Sequence, residues 1–255
     1  MIGIFDSGLG GLTVAKSILK KIPNAQILYF GDTARVPYGT KSKKAVLRYS
    51  FENTDFLIRN GAEAIVIACN TSSAIAASSI KRKINVSVFE VVGPAVKEAI
   101  KFTKKRKIGV IATPRTIRSR AYQKKVNRLS KNKIKIYSKK CPLLVPLIEE
   151  GLLEGRIIDL VLKRYLSFLK KKDIDVLILG CTHYPLIKKS ISKIIGKNVK
   201  IIDSADTVAF EVVKSLENKK EKKFFLKVFL SDEGYSFNKI SRKIFNKKVP
   251  YQIIN

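Results

Sequence analysis

The stretch Ile174-Asp-Val-Leu-Ile-Leu-Gly-Cys-Thr-His-Tyr-Pro-Leu186 decides how the rest of the chain is interpreted. Its apolar run, residues 176–179, is typical of a buried strand, which ends at Gly180 and delivers a cysteine, a threonine and the only histidine of the protein. Ligands of open parallel sheets bind at the carboxyl ends of strands, and the start of a helix favours a thiolate. The stretch therefore predicts a reactive thiol at Cys181, although a lone cysteine is more often a small buried residue.

The chain contains this arrangement twice. The earlier copy, Ala64-Ile-Val-Ile-Ala-Cys-Asn-Thr-Ser-Ser73, also ends an apolar run in a cysteine, Cys69, followed by hydrogen-bonding groups. Further upstream, Ile2-Gly-Ile-Phe-Asp-Ser7 resembles Ile108-Gly-Val-Ile-Ala-Thr113. We therefore predict two similar α/β halves with mostly parallel sheets, each with one cysteine at a strand end. Two opposed thiols are what a reaction on both faces of one carbon needs.

The domain boundaries follow from this correspondence. We predict a first α/β domain, residues 1–94 plus 206–255, that carries Cys69, and a second, residues 95–205, that carries Cys181. The crossing is placed at Gly93-Pro94. The tail is expected to pack back on the first domain because chain termini usually lie close together. Within the tail we predict a helix to Leu216, a lysine-rich turn, an edge strand in residues 224–230 and a last helix near residues 237–245.

Composition excludes several classes of protein. No apolar run approaches the roughly 18 to 20 residues of a membrane span, and no charged start or cleavage site marks a signal peptide, so we expect a cytoplasmic protein without a membrane partner. Three distant cysteines and one histidine argue against a disulfide framework and against a metal site. The glycine-rich turn of residues 6–11 has neither dinucleotide-binding nor P-loop spacing, so no nucleotide site is expected there.

The net charge of +31 is concentrated in residues 101–140, which contain sixteen Lys or Arg and no Asp or Glu. One interpretation is a surface for nucleic acid or another acidic partner. The other is compositional, because lysine outnumbers arginine 39 to 12, as an AT-rich genome would produce. Weak, non-specific and salt-dependent binding to polyanions is expected under both interpretations.

Six motifs, in order along residues 1–215, resemble the signatures of the glutamate racemase family, within the aspartate/glutamate racemase superfamily. They are Asp6-Ser-Gly-Leu-Gly-Gly11, Tyr29-Phe-Gly-Asp-Thr-Ala-Arg-Val-Pro-Tyr-Gly39, Ala68-Cys-Asn-Thr71, Ala112-Thr-Pro114, Cys141-Pro-Leu-Leu-Val-Pro146 and Gly180-Cys-Thr-His-Tyr-Pro185. The resemblance implies two α/β domains related by pseudo-twofold symmetry, an active site in the interdomain cleft, and no cofactor. It also implies interconversion of L- and D-glutamate, with D-glutamate supplied to peptidoglycan synthesis, cell wall biogenesis and cell shape. A homodimer is the expected assembly.

The same resemblance assigns roles to individual residues. Cys69 would remove the proton from D-glutamate and Cys181 the proton from L-glutamate, and the opposite cysteine would return a proton as a thiol. The groups that orient and tune each thiol would be Asp6 and Asp32 beside Cys69, and Glu149 and His183 beside Cys181. The implied substrate-binding positions are Asp6, Ser7, Tyr38, Gly39, Asn70, Thr71, Thr182 and His183.

Each assignment has a structural alternative. Taken singly, Asp6 could cap a helix, Asp32 and Glu149 could be solvated loop charges, and Tyr38 and His183 could be packing residues. Cys141 is interpreted as structural, because Pro142 follows it and no set of polar partners surrounds it in the sequence.

Rival functions are a racemase for another acidic amino acid, such as aspartate, and a polyanion-binding protein with a vestigial fold. His183 after Gly180-Cys-Thr favours glutamate, since the resemblance leads us to expect an acidic residue there in aspartate racemases. Because both halves retain full thiol loops, the binding protein is the weaker alternative. The chain starts at the first motif, without the N-terminal extension of members activated by a cell-wall nucleotide precursor, so we expect no such activator.

Overall fold

The strands of the described residues run parallel within two sheets. A computed structural model describes residues 1–216, 224–233 and 236–254. Within those ranges the strands are β1 (Ile2–Asp6), β2 (Gln26–Gly31), β3 (Ala64–Ile67), β4 (Ser87–Glu90), β5 (Lys107–Ala112), β6 (Lys135–Lys140), β7 (Val176–Gly180), β8 (Lys200–Asp203), β9 (Phe225–Leu230) and β10 (Gln252–Ile253). Their pairings are parallel throughout.

The two sheets share one strand order. The first runs β10-β9-β2-β1-β3-β4 and the second runs β6-β5-β7-β8. The four strands β2-β1-β3-β4 of the first sheet therefore match the whole second sheet, strand for strand. This match confirms the predicted α/β fold of two similar halves with parallel sheets.

Helices connect the strands, as parallel pairing requires. Within the described ranges they are α1 (Leu12–Lys21), α2 (Lys43–Arg59), α3 (Asn70–Lys83), α4 (Val92–Phe102), α5 (Pro114–Ser119), α6 (Ala121–Ser130), α7 (Leu144–Glu149), α8 (Arg156–Lys171), α9 (Lys188–Ile195), α10 (Ser204–Leu216) and α11 (Phe237–Phe245). The bounds of α11 agree with the sequence prediction. None of the helices of the described residues is long and apolar enough to cross a membrane.

The repeated Ile-Gly pair at the start of β1 and β5 has a packing cause. A Cβ on Gly3 would lie 2.7 Å from the Cβ of Ala62, and a Cβ on Gly109 would lie 2.4 Å from the Cδ1 of Ile174. Because neither glycine has a side chain, the segment before β3 packs closely against β1, and the segment before β7 packs closely against β5.

Apolar clusters cover both faces of each sheet. Ile4 and Tyr29 of the first sheet pack with helix α1 on one face, and Phe5 packs with other apolar side chains on the opposite face. Leu177 and Ile178 divide the second sheet in the same way. Full burial of one such side chain stabilises the fold by roughly 1.5–3 kcal/mol.

Three local features refine the sequence prediction. The predicted edge strand, β9, is an interior strand, because β10 pairs with its outer side. Gly93 and Pro94 lie in the first turn of α4, whose apolar side packs on the second sheet. The lysine-rich turn after Leu216 lies outside the described residues. Helix α10 packs against α1 and its sheet, whereas the exact domain boundaries stay a prediction.

Candidate active site

The carboxyl ends of three strands deliver the central residues of the candidate site. Asp6 ends β1, Cys69 follows β3 and begins α3 as its N-cap, and Cys181 follows β7. All three side chains are buried, with exposed fractions of 0% for Asp6, 5% for Cys69 and 6% for Cys181. Bulk water therefore has little access to these three residues.

Cys181 lies at one end of a chain of polar contacts. Its Sγ is 3.7 Å from Nδ1 of His183, and Nε2 of His183 is 3.0 Å from Oε1 of Glu149, which α7 delivers. Burial alone would lower the pKa of His183, but the contacts with Cys181 and Glu149 outweigh it and raise that pKa well above its usual value. An imidazolium beside Cys181 stabilises negative charge on the sulfur.

Cys69 has different surroundings. Its thiol donates to Oγ of Ser7 over 3.7 Å. Burial first, and the charge of Asp6 second, raise the pKa of the Cys69 thiol to about 11. The backbone N–H of Ser72, at the start of α3, lowers this pKa, but burial and the charge of Asp6 outweigh it. Cys181 does not lie at the start of an α-helix, since α9 begins only at Lys188, after a 3-10 turn.

Asp6 bonds to the Cys181 loop, and its charge acts on Cys69. One carboxylate oxygen accepts from the Gly8 N–H over 3.1 Å, and the other accepts from Oγ1 of Thr182, the neighbour of Cys181, over 3.2 Å. Burial raises the pKa of Asp6 in spite of the nearby His183. The N-cap residue of α1 is Gly11, and its N–H also bonds to the Asp6 carboxylate, so Asp6 supports the start of α1 as well as bonding to Thr182.

The halves approach each other closely at two glycines. A Cβ on Gly10 would lie 2.5 Å from Oγ1 of Thr182 and 2.6 Å from Nδ1 of His183. A Cβ on Gly39 would lie 2.5 Å from the Cβ of Thr113. A larger residue at Gly10 would displace Thr182 and His183, and a larger residue at Gly39 would displace Thr113.

The resemblance places Asp32 beside Cys69, but in the structure the Tyr38 side chain lies between them. Its carboxylate accepts from Nε of Arg35 over 2.7 and 2.9 Å, from Ser231 over 3.0 Å, and from the Tyr38 hydroxyl. Tyr38 is fully buried and packs in one cluster with Cys69. The structure therefore brings Asp32 to Cys69 through Tyr38.

Hydroxyl and amide groups from both halves complete the candidate site. Oγ1 of Thr71 lies 3.0 Å from Oγ1 of Thr113 and 3.0 Å from Oγ1 of Thr116. Nδ2 of Asn70 donates to the Tyr122 hydroxyl over 2.8 Å. Residues of the first half thus bond directly to residues of the second.

Sequence reasoning named some of these residues and missed others. Thr113 lies in the quoted motif Ala112-Thr-Pro114 but received no role. Thr116, Tyr122 and Ser204 received none either, because their contacts span the two halves, and no spacing in the sequence reveals them. Within the described residues, no group of His, Cys, Asp and Glu could hold a metal ion.

Comparisons with known proteins agree with one another. The model of the family described as Asp/Glu/Hydantoin racemase matches residues 11–212. A glutamate racemase from Aquifex pyrophilus is 47% identical over 254 residues, which cover 99% of this chain and 96% of that protein. The crystal structure of a Francisella tularensis glutamate racemase in complex with D-glutamate is 39% identical, with a TM-score of 0.92 over 100% of this chain and 97% of that chain. A glutamate racemase isoform from Bacillus anthracis gives a TM-score of 0.94 at 37% identity, over 100% and 97% of the two chains.

Proposed function

The chain belongs to the Asp/Glu/Hydantoin racemase family and is an amino-acid racemase, and from this premise we propose that it interconverts L- and D-glutamate with Cys69 and Cys181 as its two bases. The observation that carries the proposal is the matched position of the cysteines. Each follows the equivalent strand of its sheet, β3 or β7, and Asp6 lies next to both thiol loops. Relatives named glutamate racemase support the choice of substrate.

The contacts of the two cysteines favour a definite order of events with L-glutamate. The His183 imidazolium stabilises a Cys181 thiolate, which removes the α-proton: the Cα–H bond breaks, an S–H bond forms, and the electron pair stays on the substrate as a carbanion. Cys69, whose raised pKa keeps it a thiol at neutral pH, gives its proton to the opposite face of that carbon. Its S–H bond breaks, a new Cα–H bond forms, and the product is D-glutamate.

With D-glutamate the roles are exchanged. Cys69 must then act as thiolate, against the raised pKa of the substrate-free protein. The α-ammonium of bound glutamate supplies a positive charge in a buried site, and this charge favours loss of the thiol proton. Substrate binding thus prepares its own base.

Recognition of the carboxylates is assigned to the hydroxyl and backbone donors. Thr71, Thr113 and Thr116 form a triangle of hydroxyls, and the backbone N–H groups at the start of α3 are oriented to favour an anion. Ser7 and Thr182 add hydroxyls beside the two cysteines. Tyr38 and Gly39 are part of the same proposal, although the Tyr38 hydroxyl is engaged by Asp32 and Asn53.

We further infer that the D-glutamate serves peptidoglycan synthesis in the cytoplasm. Catalytic thiols must stay reduced, and the three cysteines of the described residues are free. Expression of the gene should restore growth, without added D-glutamate, to a bacterial strain that lacks its own glutamate racemase. Growth only with added D-glutamate would argue against this role.

The activity is tested by circular dichroism with each glutamate enantiomer and then with each aspartate. We expect loss of optical activity with both glutamates, without added cofactor, and almost none with aspartate. Cys69→Ser and Cys181→Ser should each reduce turnover about 10³-fold or more in both directions, because each sulfur serves both. Cys141→Ser is the matched control: it should stay within about threefold of the parent, with a stability loss of about 1 kcal/mol.

A substrate with a leaving group on its β-carbon distinguishes the roles of the two cysteines. Elimination of chloride from threo-3-chloroglutamate needs a base on one face only, so a serine at the other position is tolerated. Cys181→Ser should retain elimination with the D form and Cys69→Ser with the L form. If both variants keep the same enantiomer, one cysteine serves both faces and the two-base proposal fails.

A further inference from the structure

The side-chain amide of Asn70 has one hydrogen-bonding atom without a partner. Asn70 directly follows Cys69 and is 2% exposed. Its Nδ2 bonds to two groups, but its carbonyl oxygen, Oδ1, has no hydrogen-bond partner within the part of the chain that the structure describes. Buried acceptors of this kind are uncommon in native proteins and call for an explanation.

The orientation of this amide follows from its neighbours. The Ser204 hydroxyl donates its single proton to the Leu179 carbonyl over 2.6 Å, so towards Asn70, 3.2 Å away, it offers only lone pairs. The Asn70 atom facing Ser204 must therefore be the donor, Nδ2. The Tyr122 hydroxyl accepts from the same Nδ2 over 2.8 Å. The rotated amide would place an acceptor against the lone pairs of Ser204.

The two neighbours are themselves fixed in place. Tyr122 is 2% exposed and packs in the apolar cluster of the second sheet. Ser204 is 3% exposed, begins α10, and is bonded to Leu179 just before the Cys181 loop. The amide of one half is thus oriented by two rigid groups of other elements.

We propose that Tyr122 and Ser204 are positioning residues, which hold Asn70 so that its carbonyl oxygen accepts a hydrogen bond from the α-ammonium of the substrate. A carbonyl oxygen only accepts, and of the charged groups of an amino acid only the ammonium donates. The inference rests on the proposed function, since it assumes that glutamate is bound beside Cys69. Under this proposal, the orientation of the Asn70 amide favours the substrate ammonium over a substrate carboxylate at this position.

The experiment compares glutamate with glutarate, which has both carboxylates but no ammonium. Binding of each is measured by calorimetry to the parent, to Tyr122→Phe, to Ser204→Ala and to the double variant. We expect the double variant to bind glutamate about tenfold more weakly, on the scale of one hydrogen bond to a charged group, and the single variants to fall between. Glutarate binding should stay within about twofold in all of them.

Two controls separate positioning from a structural role. Tyr165→Phe removes another buried tyrosine hydroxyl of the second half, which bonds to the Leu143 N–H, and should leave both affinities unchanged. In an Asn70→Ala background, Tyr122→Phe and Ser204→Ala should have no further effect on glutamate binding, because they act through the amide.

Other outcomes overturn the proposal. Equal weakening of glutamate and glutarate, unchanged glutamate binding, or additive losses in the Asn70→Ala background would each contradict it. If Tyr122→Phe does not fold, Ser204→Ala carries the same comparison alone. If the parent protein racemises glutamate and the variants give any of these results, only the positioning role is refuted and the proposed function stands. A parent that does not turn over glutamate refutes the proposed function itself.

Discussion

Cys69 and Cys181 occupy matched positions but meet unlike neighbours. Cys181 contacts a histidine that is held by a carboxylate, whereas Cys69 contacts a serine hydroxyl and lies near the buried Asp6. Burial and the charge of Asp6 both disfavour a Cys69 thiolate. The two sulfurs are therefore chemically unequal before any substrate binds.

Asp6→Asn should lower the pKa of the Cys69 thiol from its value of about 11, because the variant removes the negative charge that opposes the thiolate. The ¹³Cβ chemical shift of labelled cysteine, followed from pH 7 upward, measures this directly. Asp32→Asn is the control: its carboxylate is engaged by Arg35, and the Cys69 titration should not move. An unchanged Cys69 titration in Asp6→Asn would show that burial alone raises the pKa.

Much of the site could be predicted at this scale, since the motifs contain both cysteines and His183, and the resemblance adds Glu149. The structure joins Cys181, His183 and Glu149 into one chain of contacts. The roles of Tyr122 and Ser204 could not be predicted from the sequence. Their contacts with Asn70 depend on how the two halves face each other, and this information does not reside in any local pattern.

The elements explain why a short pattern predicted so much of the fold. An apolar run that ends in a cysteine and polar groups is typical of an interior parallel strand, and the chain contains it at β3 and at β7. The edge of the first sheet was harder, because β10 has only two residues, Gln252–Ile253, and no periodicity can identify so short a strand. The sequence therefore predicts β9 as the edge.

The junction of β8 and α10 contains a carboxyl group that opposes folding at neutral pH. Burial first, and the charge of Asp206 second, raise the pKa of Asp203 to about 6. In the unfolded chain this pKa is near 3.9. As pH rises from about 4 to 6, the unfolded state loses its proton first, so stability falls across this range.

Asp203→Asn should therefore raise the free energy of unfolding at pH 7 by about 1–2 kcal/mol, discounted for partial exposure, and change it little near pH 4. Oδ1 of the asparagine keeps the bond from the Ala205 N–H. Urea unfolding at both pH values measures the effect. The exposed Asp55→Asn should lack this pH-dependent gain; a gain of the same size in both variants would contradict the role assigned to burial.

At the scale of the whole molecule, the positive charge is unevenly compensated. Among the described residues, the ion pairs of residues 101–140 join Lys105 and Lys107 to Asp173. Lys124, Lys125 and Arg128 of α6 line a cavity of about 390 Å³ with Lys81 from the first half. Weak polyanion binding stays a prediction, as does the homodimer, which light scattering can test.

If the basic face around α6 binds polyanions, replacing Lys124, Lys125 and Arg128 by glutamine should weaken binding to a single-stranded oligonucleotide. Fluorescence anisotropy at several salt concentrations should show a smaller salt dependence, with a log–log slope reduced by about 0.7 for each phosphate that the variant no longer neutralises. A matched variant with glutamine at Lys163, Lys170 and Lys171 of α8 carries the same charge change elsewhere. Equal weakening in both variants would favour the compositional interpretation.

Because both cysteines are buried, the proposed enzyme keeps the protonation state that its last turnover left. After L-glutamate is converted, Cys181 holds the captured proton and Cys69 has given up its own, so the free protein differs from the one that began. Because Cys69 and Cys181 are only 5% and 6% exposed, their thiols exchange protons with water slowly, while a D-glutamate molecule would reset them at once. At high concentrations of a single enantiomer, this recovery step, rather than the chemistry on carbon, would set the pace.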